Sequence, residues 1–150
     1  MNRDLKTCVG TRPIASGLRV SDAMIHSAKL LGLATTIAQV HEFFEDDHVH
    51  AALLVDHGRL LTVIEPLDLI GSPPTNRPAL AIGRLRGRTT LPDADLAATW
   101  ESMTALARRR LAVVDRRGAF LGLLCMKSSG LGFCSDADVR ARAEDLVPHL

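Results

Sequence analysis

Between His41 and His50 the chain crowds His41, Glu42, Asp46, Asp47, His48 and His50 into ten residues, all of them side chains able to ligate a divalent metal. Their spacing argues against a single ion. On a helix His41 and His48 stand seven residues and roughly 10 Å of rise apart, His50 falls beyond the helix, and no H-E-x-x-H run brings two imidazoles to one face. No metal site is therefore predicted. Cys125 or Cys134 would need a nearby base and a third group to orient it before acting as a nucleophile, and the sequence reveals no such group. Cys125 follows an apolar strand and reads as packing, so no catalytic residue is predicted and the chain is not expected to be an enzyme. Cations offer a third chemistry. Arg84, Arg86 and Arg88 alternate, which on a strand would give them one face, and Arg108, Arg109 and Arg110 are consecutive. The fork of Arg109 suits an anion. With one Trp, no Tyr, a net charge of +1 and no helix-turn-helix pattern, nucleic acid is not the expected partner.

The elements that must position these groups are written twice. From Thr36 to Asp68 the order is amphipathic helix, apolar strand ending in Asp, turn with Gly, and second apolar strand; the same order returns from Asp95 to Ser128. Leu53-Leu54-Val55-Asp56 answers to Ala112-Val113-Val114-Asp115, and Leu61-Thr62-Val63-Ile64 to Leu121-Gly122-Leu123-Leu124. The offset is 59 residues up to the aspartate and 60 after it, one residue entering at the turn. Such a period describes a small subdomain built twice. Each half is about 60 residues, too small to bury a comfortable core alone, so the two are expected to pack on each other and leave clefts between related surfaces.

Local signals set the elements. Helix one is predicted to start near Thr35 or Thr36, where Thr36 and Gln39 form a capping box, with Ile37, Val40, Phe43 and Phe44 as its apolar stripe. Strands follow at Ala52 to Val55 and Leu60 to Ile64, joined by Asp56-His57-Gly58-Arg59, then a short helix at Pro66 to Ile70. Gly71 to Pro78 carries three prolines and reads as a linker. Asp93 or Asp95 caps helix two, with Leu96, Trp100, Met103 and Ala107 on one face and the arginine triplet at its C-terminal end. Trp100 and Met103 are read as core or dimer contacts. Strands Leu111 to Val114 and Phe120 to Leu124 repeat the hairpin, and Ser135 with Asp138 opens a polar tail helix to Leu146, stopped by Pro148. The boundaries are then an N-terminal arm at 1–19, repeat one at 20–71, a linker at 72–78, repeat two at 79–130 and a tail at 131–150.

Composition fits a soluble globular body, 47% hydrophobic and 23% charged. No apolar run approaches the roughly 18 residues of a membrane span, and residues 1–19 lack the apolar core of a secretory signal. Cys8, Cys125 and Cys134 show no C-x-x-C spacing, so reduced thiols and a cytoplasmic address are expected. The net charge conceals an asymmetry: residues 20–78 hold three basic and eight acidic groups, residues 79–128 nine basic and four acidic. Opposite halves of this kind attract each other or a partner copy, unless the charges are merely solvated faces screened by salt.

The lead-in Val20-Ser21-Asp22-Ala23-Met24, the capped helix, the apolar strand ending in Asp, and Leu60-Leu61-Thr62-Val63-Ile64-Glu65-Pro66-Leu67-Asp68 together resemble a CBS domain, named for cystathionine β-synthase. Gly122-Leu123-Leu124-Cys125-Met126-Lys127-Ser128 carries the pattern again, and the likeness spans about residues 20–130. The resemblance implies an α+β fold of two β-α-β-β-α subdomains paired through their sheets with pseudo-twofold symmetry, and homodimers formed through helix faces. It also implies a regulatory module binding AMP, ATP or S-adenosylmethionine between the copies and signalling to a separate cytoplasmic protein.

In that family the Asp of the motif contacts ribose hydroxyls and a Thr or Ser contacts phosphate. Asp68 stands at the ribose position of copy one, or else satisfies backbone donors at a helix start; Glu65 replaces the phosphate-contacting hydroxyl and would repel a phosphate. In copy two Cys125 and Ser128 take the Thr and Asp positions, and His50 occupies the place matching Arg109. The candidate ligand-binding residues are thus Asp68, Glu65, His50, Arg109, Cys125 and Ser128. Loss of polar motif residues from both copies supports the alternative, a ligand-free CBS-like module for dimerisation or protein interaction.

Overall fold

In the computed structural model, which describes residues 14–130 and 132–137, two three-stranded sheets repeat one pattern. The first holds β1 (Leu30–Leu31), β2 (Ala52–Asp56) and β3 (Arg59–Ile64); the second holds β4 (Thr89–Thr90), β5 (Arg110–Val114) and β6 (Phe120–Cys125). In each the short strand runs parallel to the middle strand, which pairs antiparallel with the last. Helix α1 (Ile37–Phe43) precedes β2 and helix α2 (Leu96–Ala105) precedes β5. Cys8, most of the N-terminal arm and the tail helix beyond residue 137 lie outside the described residues, as does Asp138 of the expected tail cap.

Register reproduces the duplication residue by residue. Leu30 faces Leu53 as Thr89 faces Ala112, and Leu54 faces Thr62 as Val113 faces Gly122. Even the irregularity recurs, between Leu54 and Val55 in one sheet and between Val113 and Val114 in the other. The single inserted residue is absorbed in the hairpins. His57 and Gly58 both take positive φ, 52° and 77°, as a two-residue hairpin turn requires, whereas the longer second turn needs it at Gly118. Asp115 accepts the backbone N–H groups of Arg117 and Ala119 in that second turn, and these bonds hold its pKa below the ordinary value against a smaller effect of burial.

The caps agree with the sequence. Thr36 Oγ1 accepts from Gln39 N at 3.1 Å and Gln39 Oε1 from Thr36 N at 2.9 Å, while Asp95 rather than Asp93 caps α2 through Ala98 N. Helix α2 ends earlier than its apolar spacing suggests. Ala107 sits at φ 53°, outside the helix, so the face is made by Leu96, Trp100 and Met103. Trp100 is a core residue, its ring edge-on to Phe133 at 5.2 Å. The helix after β3 is one 3-10 turn, Pro66–Leu69, because Gly71 turns left-handed and Pro73 and Pro74 follow. Among the described residues no helix is long and apolar enough to cross a membrane.

Each sheet is covered on both faces, which explains strands that are apolar almost throughout. Leu54 and Ile64 face α1; Leu111, Val113 and Leu124 face α2; Leu53, Leu60, Val63, Ala112 and Leu123 meet between the sheets. The copies are also tied through backbone. Ile25, before repeat one's own strands, exchanges hydrogen bonds with Leu123 of repeat two at 2.8 and 3.0 Å. Its counterpart Arg84 exchanges them with Val63 of repeat one at 3.0 and 3.3 Å. Val20 N to Ala94 O is matched by Ala79 N to Thr35 O, both 2.9 Å. At the hairpin tips Leu60 N donates to Gly118 O and Phe120 N to Gly58 O, which places the pseudo-twofold axis between them.

Side-chain size is inverted across that axis. Gly122 lies under Met24, where a Cβ would meet Met24 Sδ at 3.0 Å and Ile25 O at 2.7 Å. At the equivalent contact Gly83 lies over Thr62, where a Cβ would meet Thr62 Oγ1 at 2.5 Å and Val63 O at 2.8 Å. One large partner and one glycine fill each crossing, so copying the repeat's own residue into the other copy overfills it. We expect Gly122→Thr and Gly83→Met each to cost at least about 1–3 kcal/mol of stability, measured by urea denaturation; unchanged midpoints would mean that the crossings tolerate the added volume.

Candidate ligand clefts

Because each lead-in pairs with the final strand of the other copy, two equivalent clefts form. The first lies among the lead-in 25–31, the segment 48–51 before β2, and the end of β6 at Cys125. The second lies among the lead-in 84–90, the segment 108–110, and the end of β3 running to Asp68. A shift of 59 or 60 residues converts Lys29 to Arg88, Val49 to Arg108, Cys125 to Glu65 and Ser128 to Asp68. Every substitution into the second cleft enlarges the side chain or makes it acidic.

The second cleft is narrowed by its own charged residues, and a smaller cavity of about 370 Å³ remains beside Thr90, Ala98, Ser102 and Arg108. Arg88, 2% exposed, donates through Nη1 to Asp68 Oδ2 at 2.6 Å and through Nη2 to Asp68 Oδ1 at 3.1 Å, with Nη1 also donating to Val63 O at 2.7 Å. Its Nε stands 3.4 Å from Glu65 Oε1, and Arg108 Nη1 donates to Glu65 Oε2. Asp68 further accepts Glu65 N at 2.8 Å, capping the 3-10 turn. Burial raises the Asp68 pKa, but the Arg88 hydrogen bonds and the Glu65 N–H outweigh it and leave the pKa below its ordinary value. Asp68 and Glu65, candidates for contact with a ligand, are thus engaged with arginines of the other copy. The charge asymmetry between halves is realised at this point, acid from repeat one against base from repeat two. Arg84, Arg86 and Arg88 do not form the stripe that strand alternation predicts: the segment turns at Arg86 and Gly87, and Arg88 is buried while the other two are exposed.

The first cleft is open. A cavity of about 660 Å³ is walled by apolar side chains including Ile25, Phe43 and Leu53, and carries Lys29, Arg110, Glu42, Asp46, His48 and His50. Cys125 and His50 line it; Ser128 is exposed in the turn after β6 and does not. Lys29 Nζ lies 5.5 Å from the Phe43 ring centroid. Arg109 Nη1 faces His50 Nε2 at 3.2 Å across the axis; since a guanidinium only donates, Nε2 is the acceptor and the ring proton sits on Nδ1. At the rim, Asp136 accepts His26 N at 2.7 Å, Ser27 N at 3.1 Å and Ser27 Oγ at 2.8 Å. The His26 N–H and the Ser27 hydroxyl bring its pKa down to about 2.

His41, from the acidic and histidine-rich stretch, places Nε2 2.6 Å from Ser72 O, and no group of three potential ligands gathers among the described residues. Lys29 is a site residue that the motifs do not single out, and Arg88 and Arg108 enter the sequence reading only as members of the arginine stripe and triplet. Extending the 59-residue offset backwards into the lead-ins would have paired Lys29 with Arg88.

No family model matches the chain, and no curated protein matches it. Solved structures do. CBSX2 in complex with AMP superposes with a TM-score of 0.62 at 18% identity, over 86% of this chain and 98% of that one. The CBS domains of a transcriptional regulator from Streptococcus pneumoniae give 0.61 at 14% identity, over 83% and 98%. The chain folds as a tandem CBS-domain pair. A CBS domain protein from Pyrobaculum aerophilum, complexed with AMP, superposes at 0.56 with 20% identity, over 76% of this chain and 95% of that one.

The ion pairs of the second cleft make a quantitative prediction. Asp68→Ala leaves the buried Arg88 guanidinium with only Val63 O and Glu65 beside it and is expected to cost up to about 3–5 kcal/mol, whereas Asp68→Leu with Arg88→Met removes both charges and should cost far less. Additive losses in denaturant titrations would show the pair to be uncoupled. The Asp68 contribution is complete above the unfolded carboxylate value near 3.8 and disappears as pH falls through the lower folded value. Asp68→Asn should therefore flatten the acid limb of stability below about pH 4.

Proposed function

We propose that this CBS pair is a non-catalytic regulatory module that takes one adenosine-containing ligand, in the open cleft, and communicates through contact with a separate protein. The observation that carries the reading is the unequal pair of clefts. One presents a cavity of about 660 Å³, within the size range of small-molecule sites; the other, about 370 Å³, is narrowed by the ion pairs of Arg88 and Arg108 with Asp68 and Glu65. Complexes of two structurally similar proteins with AMP support the ligand class. The apolar walls suit a flat heterocycle, and His50 and Lys29 offer polar contacts near it. Lining charges of both signs leave AMP, ATP, adenosine and S-adenosylmethionine to be separated by measurement. Cytoplasmic action belongs to the same proposal.

Binding to the native state alone raises the melting temperature. In a panel of these four compounds at millimolar concentration, at least one is expected to stabilise the protein. Lys29→Glu should weaken a phosphate-bearing ligand more than adenosine, while Arg88→Met leaves binding intact. Absence of any shift across the panel would overturn the ligand-binding reading.

A second reading, a ligand-free dimerisation module, is favoured by Leu67, Ile70 and Leu106, which are 74%, 76% and 63% exposed. It predicts a homodimer in sedimentation velocity that Ile70→Glu with Leu106→Glu dissociates. A monomer at high concentration would dispose of it.

A further inference from the structure

Cys125 is read above as packing, yet its setting, with Cys134, is unlike that of an inert core thiol. Both are buried, at 1% and 3% exposure, and their Sγ atoms lie 2.6 Å apart. The backbone makes this meeting specific. Cys134 N donates to Cys125 O, Met126 bridges to Phe133, and Lys127 N donates to Gly132 O, so the two cysteines face each other at the base of a hairpin. Cys125 is also the cross-strand partner of Arg110. That buried guanidinium is held by Met126 O and His48 O, each at 3.4 Å, and lines the open cavity together with Cys125. The cavity, which Cys125 lines, gives a small oxidant a route to the thiol.

We propose that Cys125 and Cys134 form a reversible disulfide site at the floor of the open cleft. The oxidant is a hydroperoxide. The Cys125 thiolate attacks its distal oxygen, the O–O bond breaks, and Cys125 becomes a sulfenic acid; in the hydrogen peroxide case one water leaves after protonation. Cys134 sulfur then attacks the Cys125 sulfur, the S–O bond breaks, the hydroxyl takes up a proton, and the second water leaves. In sum two thiols and hydrogen peroxide give one disulfide and two waters, with two electrons passing to the peroxide; a dithiol reverses it by exchange. The bond would pin the segment that, two residues beyond Cys134, carries Asp136 onto the His26 and Ser27 amides at the cleft rim. This inference is independent of the identity of any ligand.

The full chain carrying Cys8→Ser, reduced and then treated with hydrogen peroxide, is the material for the test. Intact mass should fall by about 2 Da, both thiols should resist alkylation after denaturation, and dithiothreitol should restore them. In a Cys8→Ser/Cys134→Ser chain, Cys125 should instead accumulate a dimedone-reactive sulfenic acid. In the oxidised Cys8→Ser chain, amide exchange at His26 and Ser27 should slow relative to the reduced form. Two thiols that stay alkylatable, or that gain oxygen without the mass loss, would overturn the site. A disulfide that leaves exchange at 26 and 27 unchanged would overturn its hold on the rim.

Discussion

The structure depends on a reciprocal exchange of main chain. Neither repeat completes its own sheet surroundings: the stretch before each first strand leaves its own subdomain and hydrogen-bonds to the last strand of the other, Ile25 with Leu123 and Arg84 with Val63. Backbone N–H and C=O groups removed from water must find partners, so separating the repeats would break four such hydrogen bonds besides uncovering the apolar faces between the sheets. That exchange also creates the clefts, since it carries a lead-in of one copy alongside the strand end of the other.

Given those equivalent clefts, a few side chains decide their fate. Val49 and Cys125 leave room where Arg108 and Glu65 fill it. The filling charges are stable there because the buried Arg88 guanidinium meets Asp68 with fork geometry and Arg108 donates to Glu65, and because the acidic residues come from one repeat and the basic ones from the other. An acid–base imbalance that looks like surface drift in the sequence acts here as internal complementarity at a single location.

The scaffold was legible in the sequence because it rests on patterns that local physics writes plainly. A capping box at Thr36 and Gln39, paired apolar strands, each one residue longer in the fold than expected, and a repeat offset of 59 each appear with little change. The clefts were less legible for a physical reason. Asp68 in the 3-10 turn after β3 looks the same in sequence whether it faces a ribose or Arg88, twenty residues downstream, and only the three-dimensional return of the second lead-in tells the two apart. The end of α2 escaped for a smaller reason, since left-handed Ala107 carries no glycine to announce it.

The pairing of His50 with Arg109 has a consequence for how such a chain can vary. These residues are 59 apart and meet across the pseudo-twofold axis, so in an assembly of two identical single repeats the same position would have to face itself. Arginine against arginine there would repel, and two histidines would need opposite donor and acceptor roles. Joining the copies in one polypeptide removes that restriction: a donor can be kept on one side and its acceptor on the other. Asymmetry at the axis is thus a freedom that covalent linkage confers, unavailable to an assembly of identical halves.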